Sequence, residues 1–349
     1  MRSSLTRRDF LKIGALGLAS LAFRPSYDFG ELQDGENLGR VAIDSVSVHS
    51  KPDENSRILF QRYRDEVINL YYEETSTGKP AYNPLWYRVW GGYVHSAHIQ
   101  KVQVRLNPVQ DRQLDQAHIA EITVPYSQCY LHRNDQEWQP IYRLYYESVH
   151  WVVGLVEGPD GTPWYRIKDE MLMEDNLDYY VPARHVRFVG LDELTPIHAD
   201  VPAGQKRVEV SIAKQELTAF EGSTVVLKTK ISSGLPYRPK DQVPWDTPIG
   251  RFYVELKMPS KHMGGGQLTD DLEAYILPGV PWTSFFETTN GVAFHGTYWH
   301  NNFGVPMSHG CVNMRMDEAK WMFRWLTPSA DLQKMNTIGR GTQVDVFSD

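Results

Sequence analysis

Cysteine is scarce in this chain: of 349 residues only Cys129 and Cys311 carry a thiol. An exported protein with an even cysteine pair ordinarily forms a disulfide. These two, however, fall in segments that read as different modules, so the pairing is not expected. Cys129 sits among apolar residues and reads as a small core hydrophobe. Positive charge is also in short supply. The formal net charge is -7 and no run of Lys or Arg interrupts the sequence, which argues against a nucleic-acid partner. Long apolar runs are missing as well. The stretch from Ile13 to Phe23 is the nearest candidate, and it is too short to cross ~30 Å of hydrocarbon comfortably as a helix.

What is abundant points to β structure. The chain holds 19 Tyr, 13 Phe and 10 Trp, with 21 Pro and 26 Gly to break it into short elements. The first 25 residues read as an address. Thr6-Arg7-Arg8-Asp9-Phe10-Leu11-Lys12 precedes the apolar stretch and resembles a Tat-type export signal, which implies an extracytoplasmic protein of the cell wall or periplasm. Ser20-Leu21-Ala22 is not a clean Ala-x-Ala cleavage site, so retention as a membrane anchor through residues 13–23 stays open. Residues 26–40 read as a linker.

From residue 41 onward short β runs dominate, and they repeat. Trp86-Tyr87-Arg88-Val89 returns as Trp164-Tyr165-Arg166-Ile167, and Tyr93-Val94-His95 is echoed by Tyr180-Val181-Pro182. Both copies resemble bacterial SH3-like barrels, which implies two small modules at 41–105 and 121–190. The segment from Pro108 to Ala120 between them suits a short helix. Residues 191–205, with two prolines, read as a hinge into a last module at 206–349. Within it, Gly264-Gly265-Gly266 lies in a polar stretch read as a lid-like insertion over 258–283. Asp317 to Leu326 shows helical periodicity, with Ala319, Met322, Phe323 and Leu326 on one face.

The chemistry concentrates in Ser308-His309-Gly310-Cys311-Val312-Asn313, with His295 upstream. A free thiol of pKa ~8.5 is barely ionised near neutrality, so a nucleophilic cysteine needs an activating neighbour. His309, two residues away, stands near Cys311 in an extended segment without necessarily aiming a nitrogen at the sulfur. A histidine from an adjacent strand approaches it frontally, which favours His295 as general base. Gly310 lets backbone N–H groups come close, as an oxyanion hole requires. A zinc set built from His295, His300, His309 and Cys311 is the rival reading, but the spacing matches no zinc pattern.

His295, twelve intervening residues and the SHGCVN motif resemble the signature of YkuD-type L,D-transpeptidases. Thr247-Pro248-Ile249-Gly250-Arg251-Phe252 and Gly341-Thr342-Gln343-Val344-Asp345-Val346 support the resemblance. It implies a β-rich catalytic domain with a short helix after the cysteine, acting without a metal or other cofactor on peptidoglycan stem peptides. Cys311 would be the nucleophile and His295 the proton carrier, oriented by the Gly296 carbonyl. His309, Gly310 and Asn313 would shape the site, with Ser308 bonding within the loop. Arg315 is a further candidate for a substrate carboxylate, and Tyr298, Trp299, Trp282 and Phe303 for lining a peptide cleft. The same acyl-enzyme passed to water would make a carboxypeptidase, and tandem barrels doing the work beside an inert catalytic domain would make a wall-binding protein. Nothing in the sequence points to an oligomer.

Overall fold

The computed structural model describes residues 37–110, 114, 116–132, 137–168, 178–238, 240, 243–265 and 275–349. The export-signal motif and the apolar stretch 13–23 lie outside the described residues. The described part is mainly β, and Met316–Trp325 is its one α-helix.

The first segment folds into two sheets. A three-stranded sheet runs in the order Val67–Asn69, Leu38–Val41, Ile99–Val102, and a five-stranded one in the order Ile58–Tyr63, Ser45–His49, Gly92–His95, Leu85–Val89, Tyr72–Thr75. They enclose Val41, Val48, Ile68, Leu70, Tyr87, Val89, Val94 and Ile99. Leu38–Val41 overturns the end of the expected linker, since all four of its residues are buried.

The second segment is one seven-stranded sheet from His118–Ile122 to Val186–Phe188. The sequence repeat has a structural counterpart. Leu85–Val89 pairs with Gly92–His95, and Pro163–Lys168 with Asp178–Pro182, and each pair leads into a 3₁₀ turn, Ser96–His98 or Ala183–His185. The helix expected before Ala120 is replaced at its end by a strand, because His118-Ile119-Ala120-Glu121-Ile122 buries Ile119, Ala120 and Ile122 while pairing with a strand on each side. Cys129 is fully buried in this core, and neither cysteine is in a disulfide.

The last segment packs two five-stranded sheets. One has the order Thr224–Lys230, Glu216–Glu221, Lys206–Ser211, Gln343–Phe347, Gly250–Tyr253; the other has Val312–Met314, Val292–Gly296, Tyr275–Glu287, Leu256–Gly265, Thr337–Ile338. Most of the stretch read as an insertion is therefore sheet. Met258 to Gly265 and Tyr275 to Thr283 are the arms of a long hairpin, and residues 266–274 lie outside the described ones. Val208, Val210, Leu217, Phe294, Val312, Val344 and Val346 fill the core, and the helix adds Ala319, Met322, Phe323 and Trp325. Two buried lysines cap the helix C-terminus, where unsatisfied carbonyls concentrate negative charge. Lys257 Nζ donates to Phe323 O at 2.5 Å and Leu326 O at 2.8 Å, and Lys206 Nζ to Trp325 O at 3.1 Å.

The segments are joined tightly. Ile119, Val149, Trp151 and Leu194 belong to the same apolar cluster as the last segment. Residues 191–205, expected as a hinge, carry two 3₁₀ turns and insert Leu194 into that shared core. The first segment grips the loop after Val292–Gly296 from the other side. Arg40, 1% exposed, sends Nη1 to Asp65 at 2.8 Å, Nη2 to Gln100 at 2.8 Å, and Nη2 to the Tyr298 carbonyl at 3.0 Å. Tyr145 of the second segment stacks over the guanidinium at 4.0 Å, and Arg143 bonds the same Asp65. The Asn301 N–H donates to Ala97 O at 2.7 Å, and Asn83 Nδ2 donates to Asn302 Oδ1 at 3.1 Å.

Removing one partner of a buried charge network is costly because the remaining groups stay desolvated. Arg40→Met is expected to lower stability by about 3 kcal/mol, read as a lower urea midpoint; an unchanged midpoint would remove this residue from the seam.

Candidate active site

His295 and Cys311 are brought together by parallel pairing. Val292–Gly296 runs alongside Val312–Met314 in the register Phe294↔Val312, His295↔Asn313, Gly296↔Met314. Cys311 immediately precedes the second strand, so the strand pair places it beside the histidine. Both residues line a cavity of about 670 Å³ together with Ser308, His309, Asn313, Trp299, Met307, Phe285, Asn290 and Gly291.

The thiol is half-buried against Met258, Phe285 and Ala293. Burial among these groups disfavours a thiolate and pushes the Cys311 pKa up to about 11. Its Sγ–H donates to the Gly291 carbonyl at 3.5 Å. His295 is 1% exposed, and burial pushes its imidazole down to about 4 against a raising contribution from the Gly296 carbonyl. That carbonyl lies 3.0 Å from Nδ1. The contact fixes the tautomer: Nδ1 carries the proton and donates it, so Nε2 keeps a lone pair. At neutral pH the pair is a neutral thiol and a neutral imidazole.

The loop that carries the nucleophile is tied at several points. Ser308 Oγ donates to Cys311 O at 2.5 Å and accepts from Gly310 N–H at 3.2 Å. Gly310 adopts φ +118°, a conformation that favours glycine. Underneath, Thr247 Oγ1 accepts from Gly234 N–H at 2.8 Å and donates to Gly310 O at 2.7 Å. This single buried hydroxyl satisfies a donor and an acceptor at once. Thr247→Val should orphan both, costing about 2 kcal/mol and slowing any Cys311-dependent turnover. Thermal unfolding and kinetics read the two effects; a variant with unchanged melting temperature would show the bridge to be dispensable.

Asn313 is 1% exposed and interacts through His300, which the sequence offered only as a metal ligand. Asn302 N–H donates to His300 Nδ1 at 3.2 Å, and His300 Nε2 lies 2.8 Å from the Asn313 amide. Burial pushes His300 down to about 3, so the ring is neutral and its one proton sits on Nε2. An NH2 group cannot accept that proton, so we assign the facing atom as the amide oxygen. The other end of the amide has no protein partner. With this assignment it is an NH2 donor on a cavity-lining residue.

The remaining sequence candidates separate. Trp299 lines the cavity, 5.6 Å from the His295 ring. His309 is exposed and stacks on Trp245 at 3.9 Å. Gly296 is closely packed, since a Cβ there would lie 2.8 Å from Met316 Sδ and 2.9 Å from Pro281. Tyr298 lies behind the wall, 1% exposed, with its hydroxyl donating to Pro278 O at 2.8 Å. Trp282 is buried against Phe323. Arg315 does not reach the cavity; it stands over the Phe303 ring at 4.8 Å and 3.5 Å from Glu318. Among the described residues no group of three or more His, Cys, Asp or Glu is arranged to hold a metal. Sequence reading missed the contribution of the first segment, whose Ala42, Ile43 and Arg64 line the same cavity.

Comparison with known proteins falls on this part of the chain. Residues 205–346 match the family model of the L,D-transpeptidase catalytic domain, YkuD. L,D-transpeptidase 1 of Mycobacterium tuberculosis is 31% identical over 168 residues, covering 44% of this chain and 60% of the relative. The chain thus spans about 60% of the length of the curated relatives it matches. Among solved structures, the catalytic domain of the Enterococcus faecium L,D-transpeptidase is 26% identical with TM-score 0.30, over 41% of this chain and 96% of that one. The L,D-transpeptidase of Xylanimonas cellulosilytica is 26% identical with TM-score 0.27, over 41% and 60%.

Proposed function

We propose that this protein is an exported enzyme that forms L,D cross-links in peptidoglycan through a thioester on Cys311. The observation that carries the reading is the pairing of Cys311 and a tautomer-fixed His295 on one cavity, within the segment that matches the L,D-transpeptidase catalytic domain. As Sγ attacks the amide carbonyl carbon after the third stem residue, its proton passes to His295 Nε2. The imidazolium so formed shares its other proton with the Gly296 carbonyl, which partly offsets its burial. The Asn313 NH2 is the donor for the developing oxyanion, while the Gly310 N–H, bonded to Ser308 Oγ, holds the loop in shape. Collapse of the tetrahedral intermediate breaks the C–N bond, and His295 returns the proton to the leaving D-alanine amine. An amine from a second stem peptide then attacks the thioester, gives its proton to His295, and frees the Cys311 thiol.

The twin-arginine motif at Arg7 and Arg8 supports export, and the repeat supports two SH3-like modules that bring the catalytic segment to the wall. The test is intact-mass analysis of products from a disaccharide-tetrapeptide and a candidate acceptor. Cross-linked dimer is the expected product. Tripeptide alone would make the enzyme a carboxypeptidase, and unchanged substrate would overturn the acyl-enzyme reading.

A further inference from the structure

The cavity beside Cys311 carries a charge pattern unlike that of the whole chain. The protein has a net charge of -7, yet the cavity is lined by Arg64 and Lys261 and by no Asp or Glu among the described residues. Clefts with low-dielectric walls focus such a field on whatever enters. Arg64 comes from the first segment, outside the residues that match the catalytic-domain family. Its backbone is held by Arg64 N–H donating to Asp44 O at 3.0 Å. Its guanidinium spends Nε and Nη2 on a single oxygen, Asp44 Oδ1, at 3.0 and 2.7 Å, which leaves Nη1 with no protein partner among the described residues. The Asp44 side chain is 91% exposed, so water already competes for that bond, and a ligand carboxylate can displace it. The guanidinium fork suits a carboxylate held by two parallel N–H bonds.

We propose that Arg64 of the first segment is the carboxylate-recognition residue of the Cys311 cavity, so that the site selects peptides bearing a negative charge near the scissile amide. This deepens the proposed peptidoglycan reading and rests on it for the identity of the peptide. The charge preference itself depends only on Arg64 and Cys311 sharing one cavity. Arg64 binds and orients, while the bond-making groups remain Cys311 and His295.

The first experiment needs no turnover. Alkylation of Cys311 in the full chain is followed by peptide mass analysis with iodoacetate, an anion, and with iodoacetamide, its neutral analogue. The ratio of the two rates cancels any change in thiol acidity, and an unaltered iodoacetamide rate shows that a variant is folded. Arg64→Glu should lower the iodoacetate-to-iodoacetamide ratio about tenfold, and Asp44→Asn, which frees the guanidinium, should raise it. A ratio unmoved by Arg64→Glu, or lowered by Asp44→Asn, overturns the proposal.

The second experiment uses two tetrapeptides, one with a free carboxylate on the residue preceding the scissile bond and one amidated there. Arg64→Gln should raise KM about tenfold for the free acid, the worth of one charge-assisted hydrogen bond, with kcat retained. It should leave the amidated peptide unaffected, and Arg64→Lys should restore part of the loss. Equal loss on both peptides would overturn the proposal while leaving the enzymatic reading intact. Turnover of either peptide by Cys311→Ala would instead overturn the enzymatic reading, with the alkylation ratio standing unaffected.

Discussion

Replacing Cys311 with alanine is expected to lower D-alanine release from a tetrapeptide by ~10⁴-fold or more, the scale seen when a covalent nucleophile is deleted. The fold should survive. Cys311 contacts Met258, Phe285 and Ala293 at the edge of a small apolar cluster and remains part-exposed, so losing its sulfur opens no large interior void. The loop is held by bonds that do not involve the sulfur: Ser308 Oγ to Cys311 O and Thr247 Oγ1 to Gly310 O. A near-native melting temperature with abolished release would place the loss in the chemistry. Release within tenfold of the unsubstituted enzyme would mean that another group forms the acyl bond.

The second large effect is on pH. With Cys311 raised to about 11 and His295 lowered to about 4, the resting pair holds its proton on sulfur throughout the neutral range. Alkylation by iodoacetamide requires thiolate. Its rate on Cys311 should therefore climb about tenfold per pH unit from pH 7 to 10, a total near 10³. Cys129, fully buried, does not compete. A plateau between pH 5 and 8 would instead reveal a thiolate–imidazolium pair formed in advance. The expected profile assigns the proton transfer to the moment of attack, so His295→Ala should abolish turnover while leaving the alkylation slope in place. For folding the sign is also fixed. A histidine whose folded pKa is depressed stabilises the protein fully above its unfolded value of ~6.5, and that contribution is lost as pH falls toward 4. His300, lowered further, acts in the same direction.

The sequence exposed the parts of the site that are local. The glycine beside Cys311, the spacing to His295 and the helical period from Asp317 onward are all short-range signals, and the helix appears as Met316–Trp325. What it hid depends on distant partners. Leu38-Gly39-Arg40 reads as the end of a linker because Arg40 is polar, and the burial of Arg40 makes sense only with Asp65, Gln100 and Tyr298 in place. The hairpin arms at 256–265 and 275–287 looked irregular because glycines and polar residues break their alternation, while the pairing between them supplies the order. Arg315 drew attention by lying next to the motif, but the chain turns into the helix there and its charge goes to Glu318. Arg64, more than two hundred residues upstream of Cys311, carried no local sign of the cavity it lines.

The clamp on residues 298–302 has a practical consequence for inhibitor work. Trp299 and His300 sit on a loop whose carbonyls and amides are bonded to Arg40, Asn83 and Ala97. A recombinant fragment beginning near residue 205 would keep every atom of the cysteine–histidine pair and lose these supports, together with one wall of the passage leading to it. Compounds ranked on such a fragment would be ranked against a wider entrance with a different charge. Screening for thiol-directed agents against this protein therefore belongs on a chain that retains its first two segments.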